Sequence, residues 1–248
     1  MNRISLTQFL CKIRNRTFLP IIVRALEEDS QNIARQRQRK ALFETVHFVE
    51  KHMQSVPSFA SWREVLHYSI AHAENTANGL ILEFGVYRGG TLNYIADQLP
   101  KRTIYGFDSF EGLPGDWYDG RPKGTFKVTR LPRVRKNVKL IKGLFQETLN
   151  PFLQANSGDV SFIHIDSDLY SSAKTILTEL ERRIQPGTVI TFDDYFNYPG
   201  WKNGEYKAFM EFIEKTGFTF VYLAYRRNCR EVSIKIGPKG KQNLMEQK

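Results

Sequence analysis

Short apolar runs alternate with helical segments from residue 80 to residue 236, and this alternation limits the fold more than any other feature. Seven runs have the length of buried strands, at residues 80–84, 103–107, 138–141, 160–165, 188–192, 219–225 and 231–236. Helical spacing predicts intervening helices at residues 91–99, 146–155, 173–184 and 205–215. The pattern predicts an α/β, Rossmann-like, doubly wound fold with a mostly parallel seven-stranded sheet and an antiparallel closing strand. Ligands are expected at the carboxyl ends of its strands.

A helical extension is predicted before the first strand. Apolar residues recur at helical spacing over 33–53, and Ser61 followed by Glu64 has the form of a capping box that starts a second helix. The chain is therefore divided into an N-terminal helical extension or lid over residues 1–78, one α/β domain over 79–237 and a basic tail over 238–248.

The net charge of +10 is concentrated at the two ends of the chain. Residues 1–40 carry a net +6 and residues 226–248 a net +5, whereas the body between them is at −1. A near-neutral body with no recognisable nucleic-acid module argues against a nucleic-acid partner. The basic ends suggest peripheral contact with an anionic membrane, and the alternative is that they pack in a homodimer.

Cysteine usage and hydropathy exclude several classes. Cys11 and Cys229 have no His or Cys companions at metal-ligand spacing, so neither a zinc site nor a disulfide framework is indicated. No window approaches the roughly 18 apolar residues of a membrane span. Arg3 and Lys12 interrupt the place of a signal-peptide apolar region, so we expect a cytoplasmic protein, with contact at the inner membrane face as a hypothesis.

A glycine-rich turn follows the first predicted strand at residues 83–91. Gly85, Gly89 and Gly90 do not have the spacing of the dinucleotide fingerprint, which favours S-adenosylmethionine (SAM), a nucleoside without a phosphate. Asp108 ends the next strand, where an acidic side chain can accept hydrogen bonds from ribose hydroxyls. The alternatives are an ordinary glycine turn and an aspartate that caps the loop 108–114.

Four aspartates follow two strands that are expected to be neighbours. Asp166 and Asp168 come after the strand 160–165, and Asp193 and Asp194 come after the strand 188–192. Crowded carboxylates repel one another unless a cation or a proton intervenes, and oxygen ligands suit Mg²⁺ or Ca²⁺. The alternative is that they are solvated loop residues or helix caps. His164 shares the strand face of Asp166, and a structural role is favoured for it.

Four segments in this order carry a family resemblance, namely residues 83–90 (EFGVYRGG), 108–114 (DSFEGLP), 164–170 (HIDSDLY) and 192–195 (FDDY). With them the chain resembles the macrocin O-methyltransferase (TylF/MycF-like) family of class I SAM-dependent enzymes over residues 79–237. The resemblance implies a SAM-dependent methyltransferase domain that performs Mg²⁺-dependent O-methylation of a sugar hydroxyl.

The resemblance also assigns residues to roles. It implies that the metal ligands are Asp166, Asp193 and Asp194, and that Asp168 is the general base. It implies that SAM is surrounded by Glu83, Gly85, Tyr87, Arg88, Gly89, Thr91, Asp108 and Ser109, with Gly143 and Phe145 near the adenine. The acceptor would be a sugar of a natural-product glycoside or of a cell-surface glycan. RNA, a catechol-like diol, and a non-catalytic scaffold that binds glycan or membrane are the alternatives.

Overall fold

The computed structural model describes residues 19–73, 78–118 and 120–240. The expectations for residues 1–18, which include Cys11, and for most of the basic tail lie outside these residues. The described helices are α1 (Leu19–Gln31), α2 (Ile33–His52), α3 (Trp62–His72), α4 (Gly90–Gln98), α5 (Phe145–Ala155), α6 (Tyr170–Glu179) and α7 (Glu205–Thr216). The strands are β1 (Ser58–Phe59), β2 (Leu80–Phe84), β3 (Ile104–Asp108), β4 (Val138–Lys142), β5 (Val160–Ile165), β6 (Ile184–Phe192), β7 (Phe218–Arg226) and β8 (Val232–Lys239).

The strands form a single sheet in the order β1-β7-β8-β6-β5-β2-β3-β4. The pairs from β6 through β5, β2 and β3 to β4 are all parallel, and β8 is antiparallel to both of its neighbours. The strand order reverses between β2 and β5, which is where a doubly wound sheet opens a crevice for a ligand. The predicted Rossmann-like α/β fold is confirmed.

Several details of the sheet differ from the prediction. Strand β6 begins at Ile184, whereas a helix was expected up to residue 184 and the strand only from residue 188. A two-residue strand, β1, pairs in parallel with β7 and gives an eighth strand. It is too short to show any alternation of apolar and polar residues, so the sequence pattern could not reveal it. The closing strand β8 is antiparallel as expected, and it lies inside the sheet between β6 and β7.

Burial follows the strand pattern. Every residue of β2 and β5 is buried, as expected for central parallel strands covered on both faces. Phe84 of β2 stacks on Phe107 of β3 with ring centroids 4.8 Å apart, and α5 covers this side of the sheet through Phe152. These rigid strands place the residues at their carboxyl ends at fixed positions.

The N-terminal extension contacts the loop that follows β6. Thr45 of α2 accepts a hydrogen bond from the backbone N–H of Asn197 at 2.9 Å, and Phe48 packs edge-on against Trp201 at 5.4 Å. The extension also supplies β1 to the sheet, and α3 begins with the predicted capping box of Ser61 and Glu64. None of the described helices is both long and apolar enough to span a bilayer.

Candidate active site

A cavity of about 310 Å³ lies at the carboxyl ends of the central strands. Its inner wall comes from the turns after β2, β3, β4, β5 and β6, and its outer wall comes from the long segment between β3 and β4. That segment contributes Leu113, Trp117, Arg121 and Phe126 to the wall. The volume is within the range of small-molecule sites in proteins.

Gly85 makes the close approach of two of these turns possible. Its φ of +96° lies in the left-handed region, which favours glycine. A Cβ atom at this position would overlap the backbone carbonyl oxygen of Asp166 in the turn after β5. The glycine therefore brings the turn after β2 into contact with the turn that carries the aspartates.

Asp108 connects the end of β3 to the glycine turn. Its Oδ2 accepts hydrogen bonds from the backbone N–H groups of Val86 at 2.9 Å and Tyr87 at 2.7 Å, and its Oδ1 accepts one from Phe110 at 2.7 Å. The side chain is half-buried at the cavity wall. The structure thus places Asp108 where it both holds local backbone and faces the space predicted for a nucleoside.

The predicted SAM-contacting residues fall into two groups. Six of them line the cavity, and these are Gly85, Tyr87, Asp108, Ser109, Gly143 and Phe145. The other four, Glu83, Arg88, Gly89 and Thr91, are not among the residues of the wall. Gly89 instead forms the N-cap of α4 with a φ of +75°.

Glu83 lies behind the glycine turn and is fully buried. Its Oε1 accepts hydrogen bonds from the hydroxyl of Thr91 and from Nδ1 of His164, the latter at 3.0 Å. Burial lowers the pKa of His164, and the hydrogen bond and charge of Glu83 more than offset this, so that the pKa is raised. His164 therefore acts as a partner for a buried carboxylate, in agreement with the structural role that the sequence favoured.

The predicted aspartates converge at the ends of β5 and β6. Asp166, Asp193 and Asp194 each offer a carboxylate oxygen, and these three oxygens lie within 4.8 Å of one another. Asp194 is buried, and the other two are half-buried. Asp168 is buried on the same cavity wall, in a left-handed backbone conformation with φ of +61°. Aspartate is among the few side chains that tolerate this conformation.

Burial and mutual repulsion favour protons on these carboxyl groups. Burial, followed by the charges of Asp194 and Asp193, raises the pKa of Asp168 to about 8. Burial and the charges of Asp194 and Glu231 raise the pKa of Asp193 to about 7. The pKa of Asp166 is raised well above its usual range by burial and by Asp193. A group of acids in this condition binds either protons or a cation.

Three charged residues of the site carry no sequence motif and were missed. Arg230, in the turn between β7 and β8, donates a hydrogen bond to Asp194. Arg121, in the long segment, lines the cavity, and its charge offsets part of the rise in the pKa of Asp168. Glu205, the first residue of α7, is fully buried and accepts hydrogen bonds from the turns after β5 and β6. None of the three lies in a recognised motif or at a recognised spacing from the aspartates, so the sequence did not indicate them.

An aromatic group flanks the aspartates. Tyr118 stacks on Tyr198 with ring centroids 4.8 Å apart, and Arg230 lies over both rings at 5.3 and 5.4 Å. Trp117 contacts Tyr118 edge-on and lines the cavity. Trp201, the third tryptophan of the chain, is buried in the core.

The sheet order and the cavity at its point of reversal define a Rossmann-like α/β protein with a ligand site at the strand ends. Residues 82–195 match a family model described as a methyltransferase domain. The matched segment contains the last three residues of β2, the glycine turn, Asp108 and the four aspartates after β5 and β6. The domain model is broader than the macrocin O-methyltransferase family, and the resemblance to that family stays a prediction.

Curated relatives are known as O-methyltransferases. The chain is 29% identical over 161 residues to demethyldecarbamoylnovobiocin O-methyltransferase of Streptomyces niveus, and this match covers 54% of the chain and 60% of that protein. It is 30% identical over 142 residues to 8-demethyl-8-(2,3-dimethoxy-alpha-L-rhamnosyl)-tetracenomycin-C 4'-O-methyltransferase of Streptomyces olivaceus, covering 47% of the chain and 53% of that protein. The chain thus spans between half and two thirds of the length of these relatives.

Solved structures share the fold. The structure of the O-methyltransferase NovP is 22% identical with a TM-score of 0.55, covering 71% of this chain and 79% of that one. The structure of CalS11, a calicheamicin methyltransferase, is 20% identical with a TM-score of 0.55, covering 94% of both chains. At these identities the likeness concerns the fold alone.

Proposed function

We propose that the protein is a SAM-dependent O-methyltransferase that uses a divalent cation and acts on a sugar hydroxyl. The observation that carries this proposal is the convergence of Asp166, Asp193 and Asp194 beside a cavity lined by glycine turns, within a matched methyltransferase domain. The sugar acceptor is supported by the relative from Streptomyces olivaceus, whose name specifies a rhamnosyl group.

The donor set fits Mg²⁺. Three carboxylate oxygens within 4.8 Å of one another would supply hard, anionic ligands, and Mg²⁺ characteristically keeps water or substrate oxygens in its other coordination positions. Asp166, Asp193 and Asp194 would hold the ion. When bound, it would supply Lewis-acid polarisation that lowers the pKa of an acceptor hydroxyl.

The remaining chemistry falls to residues of the chain itself. The turn containing Gly85 and the side chains of Asp108 and Phe145 would hold SAM in the cavity. Asp168, at the cavity wall, would remove the proton from the acceptor hydroxyl. The oxygen would then attack the SAM methyl group in line, breaking the S–CH₃ bond and releasing S-adenosylhomocysteine. In the metal-free protein the pKa of Asp168 is raised to about 8, and a cation bound by the neighbouring aspartates would lower it, so that the carboxylate is ionised and able to accept a proton.

We also propose that the protein forms a homodimer in the cytoplasm through its N-terminal helices. Helix α1 has no buried residue, and it exposes Leu19, Ile21, Ile22 and Leu26. An apolar surface of this kind favours a partner. Sedimentation velocity of the full chain, with and without vesicles of anionic lipid, separates a dimer from a monomer that binds the membrane.

The first experiment is a calorimetric titration of S-adenosylhomocysteine into the purified protein. We expect binding in the micromolar range, followed by methyl transfer to glycoside acceptors that depends on Mg²⁺ and is lost in excess EDTA. A folded sample that does not bind S-adenosylhomocysteine would contradict the methyltransferase proposal. Binding with methyl transfer that is insensitive to EDTA would contradict only the role of the cation.

A further inference from the structure

Glu205 joins the two turns that carry the aspartates. Its Oε1 accepts hydrogen bonds from the backbone N–H of Ser167 at 3.2 Å and from the Ser167 hydroxyl at 3.1 Å. Its Oε2 accepts one from the backbone N–H of Asp194 at 3.2 Å. Ser167 lies between Asp166 and Asp168 in the turn after β5, and Asp194 lies in the turn after β6. One side chain therefore holds both turns.

Burial beside other carboxyl groups is energetically unfavourable for the side chain of Glu205. Glu205 is fully buried, and no ion pair with a lysine or arginine is found for it among the described residues. The neighbouring carboxyl groups are those of Asp194 and Asp168, which repel it. A buried polar group in such surroundings is stabilised only by its hydrogen bonds, and here all three of them go to the aspartate-bearing turns.

The two turns need such a connection. Strands β5 and β6 are adjacent, and beyond their ends four carboxyl groups crowd together, so their repulsion when ionised tends to spread the turns apart. A backbone hydrogen bond at 2.9 Å from Asp193 to the carbonyl of Ile165 is the last link of the sheet at this place. Beyond that hydrogen bond, the carboxyl group of Glu205 accepts hydrogen bonds from both turns.

We propose that Glu205 is a positioning residue that holds the two aspartate-bearing turns at the spacing a divalent cation requires. This inference rests on the proposed function. Glu205 lies outside the set of three carboxylates whose oxygens converge, so it acts through the turns rather than as a ligand. It prepares the cation site before any ion is bound.

Two substitutions of Glu205 distinguish a role of its side-chain length and hydrogen bonds from a role of its negative charge. Glu205→Gln keeps the length of the side chain but has one acceptor oxygen in place of two, because its NH₂ group cannot accept from a backbone N–H. Glu205→Asp keeps the acidic group but is one methylene too short to span both turns. A positioning role predicts a defect in both variants, whereas a purely electrostatic role predicts a defect in Glu205→Gln alone. Glu214→Gln, on the exposed face of the same helix, is the matched control.

The first readout is the binding of Mn²⁺ and of S-adenosylhomocysteine to each variant by calorimetry. We expect both Glu205 variants to bind Mn²⁺ at least tenfold more weakly than wild type, with the affinity for S-adenosylhomocysteine within twofold. In turnover, the KM for Mg²⁺ should rise, and kcat at saturating Mg²⁺ should recover most of its wild-type value. A general loss of stability would instead lower kcat and cofactor binding together.

The second readout is hydrogen exchange of metal-free protein at the backbone amides of Ser167 and Asp194. We expect at least tenfold faster exchange at one or both amides in each Glu205 variant and no change in the control.

Variants that fold, bind Mn²⁺ like wild type and keep both amides protected would overturn the role of Glu205 alone. A wild-type protein that binds no Mn²⁺ would overturn the proposed cation dependence and this inference with it. Thermal unfolding of each variant establishes that the compared samples are folded, and the isosteric Glu205→Gln is the variant that best preserves packing.

Discussion

The guanidinium of Arg230 donates a hydrogen bond at 2.9 Å to Oδ1 of Asp194, a member of the three-aspartate cluster. Asp194 is buried and Arg230 is about one-quarter exposed, so water screens this pair only partly. The arginine thus supplies part of the positive charge that the aspartate cluster needs when no cation is present.

Replacing Arg230 with alanine should destabilise the metal-free protein by about 2 kcal/mol, because a buried carboxylate loses its charged partner. Urea unfolding in EDTA measures this. The matched control is Arg135→Ala, which breaks an ion pair with Asp97 in which both side chains are about half exposed. Exposed pairs contribute little to stability, because water screens the two charges. Equal costs for the two variants would show that Arg230 does not compensate the cluster.

Stability of the metal-free protein should fall as the pH rises from 5 to 9. In the folded state the pKa of Asp193 is about 7 and that of Asp168 about 8, whereas the ordinary value is 3.8. Between these values the folded state holds protons that the unfolded state has released, so raising the pH favours unfolding. Thermal unfolding across this range should show a declining Tm in EDTA and a smaller decline in Mg²⁺. A Tm that rises with pH in EDTA would contradict the sign of these shifts.

Asp168→Asn should lower kcat by a factor of about 10² to 10⁴, the usual contribution of a positioned general base. The affinity for Mn²⁺ should change little, because Asp168 lies outside the set of three ligand candidates. Rapid-quench or steady-state kinetics at saturating Mg²⁺ measure the effect. Wild-type turnover by this variant would remove Asp168 as the base.

Asp193→Ala should abolish turnover and Mn²⁺ binding, while the affinity for S-adenosylhomocysteine stays within a few-fold of wild type. The reason is that Asp193 offers one of the three converging oxygens, and metal sites weaken steeply when a ligand is lost. Calorimetric titrations with each ligand in turn separate the two effects. If cofactor binding disappears as well, Asp193 supports the cofactor or the fold rather than the cation.

Gly85→Ala should destabilise the protein by at least about 3 kcal/mol, because the added Cβ overlaps a backbone carbonyl and φ is positive. Gly90→Ala is the matched control. A Cβ at Gly90 meets no atom within 4 Å, and the position is the first of helix α4, so its effect should stay within about 0.5 kcal/mol. Chemical unfolding of both variants tests the pair. A small loss of stability in Gly85→Ala would mean that the turns after β2 and β5 can move apart to accommodate the added Cβ.

Much of the fold could be predicted from local patterns. The central strands are buried on both faces. Strands of this kind have nearly continuous apolar sequences, so they can be recognised from short apolar runs. The capping box at Ser61 also depends only on residues close in sequence. The strand β1 was missed because two residues contain no period, and its existence depends on pairing with the distant strand β7.

The residues of the candidate site also divide into those that local sequence patterns predict and those whose position depends on tertiary packing. Asp108, Asp166 and Asp193 directly end or follow apolar strands, and a parallel sheet brings such positions to one edge, so their convergence could be predicted. The prediction could not distinguish Glu83, which faces His164 in the protein interior, from the turn residues that face the cavity. Which side of a turn a residue faces depends on packing against the neighbouring strand.

The sequence by itself determined the strand and helix alternation, the glycine turn and the placement of acidic residues after strands, because each of these features depends only on residues that are close together in the chain. Only the tertiary structure decided that Glu205, Arg121 and Arg230 belong to the site. Each of them comes from a helix end or loop outside the two aspartate-bearing turns, and its position results from how α7, the long segment and the β7–β8 turn pack against those turns. That packing is the sum of many nonlocal contacts, which no short stretch of sequence contains.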